Sequence, residues 1–142
     1  MFEQRIGTEV FLYGRSSGAT VGLLNEIRDY VRTLYRSASG ISRVVVSREF
    51  VVVDPARLGL QFRHSPSYIP PFSASGDSGA SVFNEDGDIV GMSFAGNPSD
   101  PCGFSTAWVT PIESTITDIE RHLNGNVFGG SSNGGDWKVE IL

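Results

Sequence analysis

Apolar residues along this chain fall into short runs, and clusters of Gly, Pro, Ser and Asn separate the runs at intervals of roughly 8–15 residues. Such spacing is typical of a small antiparallel β barrel or sandwich. The candidate strands are Glu9–Tyr13, Ala19–Leu24, Arg43–Val53, Ala80–Phe83, Asp88–Phe94 and Phe104–Val109.

Three further local patterns refine this prediction. Asp86-Gly87 lies between two apolar runs, which is a strong indication of a β hairpin. Arg43–Val53 contains two valine triplets, as expected of a strand that is covered on both faces. Between Leu24 and Tyr35 the apolar positions fit both a helical stripe and strand alternation. For this segment we expect an extended strand with a loop.

A terminal helix is indicated at Thr110, where an N-cap residue is followed by Pro111 in the first turn and by Gly125 past the end. The apolar positions at helical spacing are Ile112, Ile116, Ile119 and Leu123. We therefore predict one domain over residues 1–124, followed by a Gly/Ser-rich linker and an apolar tail over 125–142. The tail is interpreted as an added edge strand, a disordered end, or a Leu142 carboxylate lying in a groove like a product.

The charge of the chain limits its partners. The 142 residues carry a formal charge of −5, which disfavours nucleic acid as the main partner. Residues 1–70 hold nine Arg against six acids (+3), and residues 71–142 hold two bases against ten acids (−8). This asymmetry is typical of an ordinary solvated surface, and it also fits an Arg-rich face that contacts a partner.

Few residues suit a metal, a disulfide or a membrane. Cys102 is the one cysteine, so no internal disulfide forms. His64 and His122 have no cysteine or carboxylate at ligand spacing, and we expect neither metal nor cofactor. The N-terminus lacks the apolar stretch of a signal peptide or membrane span. We therefore expect an intracellular protein or an excised piece of a longer one, without membrane contact.

The sequence Gly76-Asp77-Ser78-Gly79 is the most informative motif. A nucleophilic serine needs a sharp turn that exposes its hydroxyl and directs backbone N–H groups at a developing oxyanion. Glycine at position 76 allows the N–H groups of Gly76 and Ser78 to converge on one oxygen. The tetrapeptide also forms ordinary polar turns, so its context decides the interpretation.

That context resembles the C-terminal β-barrel of the trypsin/chymotrypsin-like serine proteases, particularly their divergent fungal and bacterial members. Three segments carry the resemblance in the family's order: the opening hairpin Tyr13–Gly22, the hairpin Ser81–Gly96 after the serine, and the last strand into the helix, Gly103–Ile112. The resemblance covers about residues 6–123. It implies an all-β fold, a six-stranded antiparallel barrel with a C-terminal α-helix.

The resemblance also implies roles for individual residues. Ser78 is the expected nucleophile, with the N–H groups of Gly76 and Ser78 as the oxyanion hole. The expected substrate-binding residues are Phe72 and Ser73 at the base of the specificity pocket and Ser93, Phe94 and Gly96 along its wall. Because no charged side chain marks this base, we expect the substrate residue preceding the scissile bond to be apolar or small. Asp77 is expected either to bind a cation or to stabilise the turn.

The family's general base and its orienting Asp belong to an N-terminal barrel, which we expect from outside this chain. His64 lies in a Pro-rich connection and is interpreted as a surface residue rather than a replacement base. His122 falls in the last helical turn, where it complements the helix dipole. Cys102 is expected to be a spectator thiol.

These expectations define a serine-type endopeptidase half-domain that is inactive alone. The missing barrel belongs either to the same precursor or to a separate chain, and a peptide is the substrate. An uncovered barrel face would also favour a homodimer. The alternative is a non-catalytic pseudoprotease that serves as a protein-interaction module. A groove filled by Phe72 or Phe94 would favour the module, and an open groove beside an intact oxyanion turn would favour the protease.

Overall fold

A computed structural model describes residues 7–36, 38, 40, 42–54, 71–97 and 106–124. The elements are β1 (Thr8–Gly14), β2 (Gly18–Arg36), β3 (Ser42–Val53), β4 (Ser81–Phe83), β5 (Ile89–Asn97), β6 (Thr106–Pro111) and α1 (Ile112–Asn124). His64, Cys102 and the linker and tail over 125–142 lie outside the described residues.

The six strands form one closed antiparallel barrel in the order β1-β2-β3-β6-β5-β4. Closure depends on a short contact between β1 and β4, where Phe11 pairs with Phe83 and Leu12 with Val82. The predicted all-β class, the six antiparallel strands and the terminal helix are confirmed.

Alternation along the strands places one set of side chains inside the barrel. In β1, Val10 and Leu12 are buried while Phe11 and Tyr13 face outward, as the two-residue period of a strand requires. The buried apolar core consists of Val10, Leu12, Leu24, Phe50, Val52, Phe72, Val82, Val90, Ala107 and Val109. Every strand contributes to this core, and Phe72 enters it from the loop that precedes β4.

The segment with two interpretations is a single strand, β2, without the expected loop. A register shift against β3 between Asn25 and Asp29 takes its place. Such a bulge absorbs an irregularity in the pattern without interrupting the strand. Beyond it, residues 29–36 pair with 42–49 and, within the described part of the chain, with no other strand. We call this two-stranded extension the β2–β3 ribbon.

The terminal helix begins one residue later than the sequence predicts. Pro111 is the last residue of β6, where it pairs with Gly91, and Ile112 starts α1. Proline is tolerated at the end of a strand because its missing N–H costs little there. The helix packs on β5 and β6, and Thr115 Oγ1 donates a hydrogen bond to the Pro111 carbonyl at 3.4 Å.

We expect Gly22→Ala to lower the free energy of unfolding by about 1–3 kcal/mol, the usual cost of overpacking a core. A Cβ at this position would lie 2.4 Å from Val52 Cγ1 and 2.7 Å from Phe72 Cδ2, two side chains that the core holds in place. Urea titration measures the loss. The matched control is Gly96→Ala, whose Cβ would come no closer than 3.4 Å to its nearest neighbour, the Thr106 carbonyl. Equal losses in the two variants would contradict the packing argument.

Candidate active site

The loop over residues 71–80, here the serine loop, forms two consecutive tight turns before β4. The N–H of Asp77 donates to the Ala74 carbonyl at 3.1 Å, and the N–H of Ala80 donates to the Asp77 carbonyl at 3.0 Å. Gly76 and Gly79 have φ angles of 102° and 91°, a region that favours glycine over any other residue. The motif glycines are therefore required by the backbone of the turn itself.

Strand β5 holds the end of the serine loop. The N–H of Gly79 donates to the Ser93 carbonyl at 2.7 Å, and the N–H of Ser93 donates to the Ala80 carbonyl at 2.9 Å. Both main-chain groups of Ser93 are therefore already occupied.

The carboxylate of Asp77 joins the serine loop to the β1–β2 turn. Asp77 is 1% exposed, and its Oδ1 accepts hydrogen bonds from the N–H groups of Ser16 at 2.7 Å and Ser17 at 3.3 Å. Its Oδ2 accepts from the N–H of Ala74 at 2.8 Å, within the serine loop itself. A Cβ at Gly14 would collide with this carboxylate, so glycine is needed for the close approach.

Hydrogen bonds, and not an ion pair with a described residue, compensate the charge of Asp77. The one ion pair between two described residues joins Arg121 and Asp118 on α1, so no described cation pairs with Asp77. Burial by itself would raise the pKa of Asp77, but hydrogen bonds from the Ser17 hydroxyl and from the N–H groups of Ser16, Ala74 and Ser17 outweigh it. The net result is a pKa below the ordinary aspartate value. Of the two expected roles, turn stabilisation agrees with these contacts.

The Ser78 side chain is exposed at the surface of this turn. Its Oγ donates a hydrogen bond to the Phe94 carbonyl at 3.1 Å. The N–H groups of Gly76 and Ser78 donate to no acceptor among the described residues. An exposed hydroxyl with two unengaged N–H groups on the same turn supplies the components that an oxyanion hole requires.

Three of the expected pocket residues lie close together. The hydroxyls of Ser73 and Ser93 are 3.3 Å apart, and both residues are buried. A Cβ on Gly96 would lie 3.7 Å from Ser73 Oγ, so the main chain of β5 passes directly beside Ser73. Phe94 follows Ser93 and is half-buried. The structure thus brings Ser73, Ser93 and Gly96 together beside the Ser78 turn.

Phe72 differs from the expectation that it lines the pocket base. Its ring is 1% exposed and belongs to the barrel core, where it contacts the backbone at Gly22. Thr20 Oγ1 donates to the Phe72 carbonyl at 2.6 Å, which fixes the start of the serine loop. The aromatic ring gains more from the apolar core than from a surface pocket. Ser73, the next residue, is buried beside Ser93.

Ser16 and Ser17 take part in the site although the sequence suggested no role for them beyond a turn. They lie 60 or more residues before Asp77, and no local pattern shows that a buried carboxylate selects their amides. The sequence feature that could have indicated this contact is the pair of glycines on either side of them, Gly14 and Gly18, because Gly14 makes room for the Asp77 carboxylate.

Among the other candidate residues that the structure describes, His122 belongs to the helix and not to the serine loop. His122 lies on α1, where its Nδ1 is 2.8 Å from the Asp118 carbonyl oxygen. The described residues include no cluster of three or more His, Cys, Asp or Glu arranged to bind a metal ion. Nor does any helix among them have the length and apolar character to cross a membrane.

Comparison with solved structures finds the crystal structure of a chymotrypsin from Cellulomonas bogoriensis, with a TM-score of 0.48 and 16% sequence identity. The match covers 81% of this chain and 48% of the other, so the chain spans about half the length of that protein. No protein-family model matches the sequence, and the curated proteins searched give no match either.

We expect Asp77→Asn to lower the free energy of unfolding at neutral pH by about 1–3 kcal/mol, because the amide directs its own N–H₂ at backbone donors. The effect depends on pH. A depressed folded-state pKa gives a stabilisation that is complete above the unfolded-state pKa and is lost as the pH falls through the folded-state value. The difference between wild type and variant should therefore begin to shrink below about pH 5, near the unfolded-state pKa, and continue to shrink as the pH falls through the lower folded-state pKa.

Chemical denaturation at several pH values measures this difference. The matched control is Asp86→Asn, at an exposed carboxylate in the β4–β5 turn, for which we expect no comparable loss. A difference between Asp77→Asn and wild type that stays constant down to acidic pH would contradict the role given to this carboxylate.

Proposed function

We propose that this chain is the nucleophile-bearing half-domain of a serine-type endopeptidase. The observation that carries the proposal is the exposed Ser78 hydroxyl on a turn whose Gly76 and Ser78 N–H groups have no acceptor among the described residues. A buried carboxylate holds that turn in place. The Phe72 ring lies in the barrel core. These features favour the protease over a module with a blocked site.

In the proposed reaction, Ser78 Oγ attacks the carbonyl carbon of a peptide bond, and the carbonyl oxygen becomes an oxyanion. The N–H groups of Gly76 and Ser78 donate to that oxyanion and stabilise the tetrahedral intermediate. The Ser78 proton must leave to a base, and the Phe94 carbonyl that accepts its hydrogen bond is too weak a base for this role. In this proposal a second barrel supplies an imidazole, which accepts the Ser78 proton, and a carboxylate, which orients the imidazole.

Substrate selection follows from the side chains beside the nucleophile. Ser73, Ser93 and Gly96 bring two small hydroxyls and no charge to the pocket. A buried Arg or Lys of the substrate would lack a carboxylate partner there. The proposed enzyme therefore prefers an apolar or small residue before the scissile bond.

The proposal predicts that the isolated chain reacts only slowly with a fluorophosphonate probe at Ser78, and that an external base accelerates the reaction. Without a general base, a site retains roughly 10³–10⁴-fold acceleration from its oxyanion hole and binding groups alone. Free imidazole should therefore increase labelling in proportion to its concentration, as it takes up the Ser78 proton. Mass spectrometry of the labelled peptide measures the rate.

Ser78→Ala should remove the imidazole-dependent labelling. The matched control is Ser75→Ala, because Ser75 is an exposed serine of the same loop and should be dispensable. Labelling that Ser78→Ala leaves unchanged, or an unreactive Ser78 at high imidazole concentration, would contradict the proposal.

A second candidate function is a protein-interaction module, and the β2–β3 ribbon favours it. On one side of the ribbon the cross-strand pairs are Tyr30 with Arg48, Arg32 with Val46 and Leu34 with Val44. All six residues are exposed, with Tyr30 at 68% and Val46 at 59%. We call this surface the ribbon face. Two-stranded ribbons are marginally stable in water, so a covering partner would stabilise this one.

The ribbon face has a chemistry that suits an acidic protein surface. None of its six residues is acidic, and its arginines form no ion pair within the described residues. Its aliphatic residues match an apolar protein surface better than a nucleic acid backbone. A second copy packing the same face on it would place arginine against arginine, which disfavours a homodimer through this surface.

If the partner of the ribbon face is acidic, Arg32→Glu should weaken the binding of a labelled peptide of alternating Glu and Val residues. Fluorescence anisotropy measures this binding. The loss should be at least about fivefold, from the removal of one attractive charge and the addition of a repulsive one. Arg43→Glu is the matched control, since exposed Arg43 lies on the opposite side of the ribbon. Equal effects in both variants, or preferential binding of a DNA duplex, would contradict this function.

A further inference from the structure

Arg15 lies in the turn between β1 and β2, beside the serine loop, and takes no part in the proposed catalytic step. A Cβ placed on Gly76 would lie 3.6 Å from Arg15 Nη2. Because a Cβ is two bonds away from the nitrogen of its own residue, the guanidinium lies within about 6 Å of the Gly76 nitrogen. Arg15 and Gly76 are both exposed, so one ligand at the surface can reach both.

The Arg15 guanidinium does not neutralise an acid of the described chain. It forms no ion pair with any described residue. The buried Asp77 carboxylate in the adjacent loop accepts instead from three backbone N–H groups. The charge of Arg15 therefore remains available to an anionic ligand.

Uncharged hydrogen-bond donors lie next to this guanidinium. The N–H groups of Gly76 and Ser78 have no acceptor among the described residues. The Ser16 hydroxyl lies against the Gly76 backbone, where a Cβ would collide with it. Backbone N–H groups beside an arginine are a typical combination for binding a carboxylate or a phosphate.

A permanent positive charge at this turn favours a ligand that is itself charged. A peptide carbonyl is neutral when it binds, and negative charge develops on it only as the reaction proceeds. A carboxylate is charged from the start, so it gains a charge-assisted hydrogen bond from the guanidinium. The pocket proposed above, at Ser73, Ser93 and Gly96, is small and uncharged. A peptide that ends at the turn would place its last side chain in that pocket and its terminal carboxylate at the donors.

We propose that the Ser78 turn and Arg15 together bind the C-terminal carboxylate of a peptide whose last residue is small or apolar. One carboxylate oxygen accepts from the N–H groups of Gly76 and Ser78, and the other accepts from the Arg15 guanidinium. The choice of last residue rests on the proposed function, because it uses the same pocket. The binding itself needs neither a general base nor a reaction of Ser78.

The test compares three peptides that differ in whether, and where, they carry a carboxylate. They are acetyl-Ala-Ala-Ala, the same peptide with a C-terminal amide, and acetyl-Ala-Glu-Ala with a C-terminal amide. The N–H resonances of Gly76 and Ser78 in ¹⁵N-labelled protein report binding at the turn. Acetyl-Ala-Ala-Ala should shift both resonances in a saturable manner. Both amidated peptides should bind at least about tenfold more weakly, because neither presents a terminal carboxylate to the guanidinium.

Arg15→Gln should weaken the binding of acetyl-Ala-Ala-Ala by at least about fivefold, because it removes the charge that the carboxylate contacts. It should not change the weaker binding of the amidated form of the same peptide. The thermal midpoint should stay near that of wild type, since Arg15 is exposed and forms no ion pair with a described residue. The matched control Arg36→Gln removes an exposed arginine at the end of β2 and should bind like wild type.

Equal binding of the carboxylate and amide forms by wild type would overturn the proposal, as would full binding by Arg15→Gln. Tighter binding of the glutamate peptide would also overturn it, because the arginine would then recognise an acidic side chain and not a terminus.

The titration contains no imidazole and no fluorophosphonate, so it separates this proposal from the proposed function. Carboxylate binding by a chain whose Ser78 stays unreactive would contradict the peptidase alone. Imidazole-dependent labelling of Ser78 without preference for the carboxylate peptide would contradict the carboxylate site alone.

Discussion

The carboxylate of Asp77 is the interaction on which the candidate site depends. It brings the serine loop, which ends on β5, into contact with the turn between β1 and β2, more than 60 residues earlier in the chain. By accepting from Ser16, Ser17 and Ala74, it fixes the turn without engaging the N–H groups of Gly76 or Ser78. Those two groups stay available because another part of the chain supplies the hydrogen bonds that the loop needs.

Local pattern was enough to predict a small antiparallel β barrel or sandwich, because strands in such folds bury alternate residues, and the resemblance to the protease family implied the six-stranded barrel. The Val10 and Leu12 alternation and the Asp86-Gly87 hairpin are examples that the structure confirms. The length of β2 could not be predicted from the sequence. The bulge between Asn25 and Asp29 shifts the strand alternation, so the apolar positions of this segment also fit a helical period. Pairing over long sequence separations leaves no local trace. The amide partners of Asp77 and the placement of Phe72 in the core therefore appeared only in three dimensions.

The chemistry of the chain is divided between two surfaces with different physical characters. The Ser78 turn offers backbone donors that have no acceptor among the described residues, and small uncharged neighbours, which suit a peptide carbonyl. The ribbon face offers exposed arginines and aliphatic residues, which suit a protein surface of opposite charge. Both arginines of the ribbon face belong to the arginine-rich first half of the chain.

Amide hydrogen exchange at single-residue resolution tests the central claim, that Asp77 holds the turn while leaving the N–H groups of Gly76 and Ser78 free. The account predicts slow exchange for the Ser16 and Ala74 amides, which donate to the buried carboxylate, and fast exchange for the exposed Gly76 and Ser78 amides. Protected Gly76 and Ser78 amides would mean that both donors are already engaged. That result, or fast exchange at Ser16 and Ala74, would contradict the account.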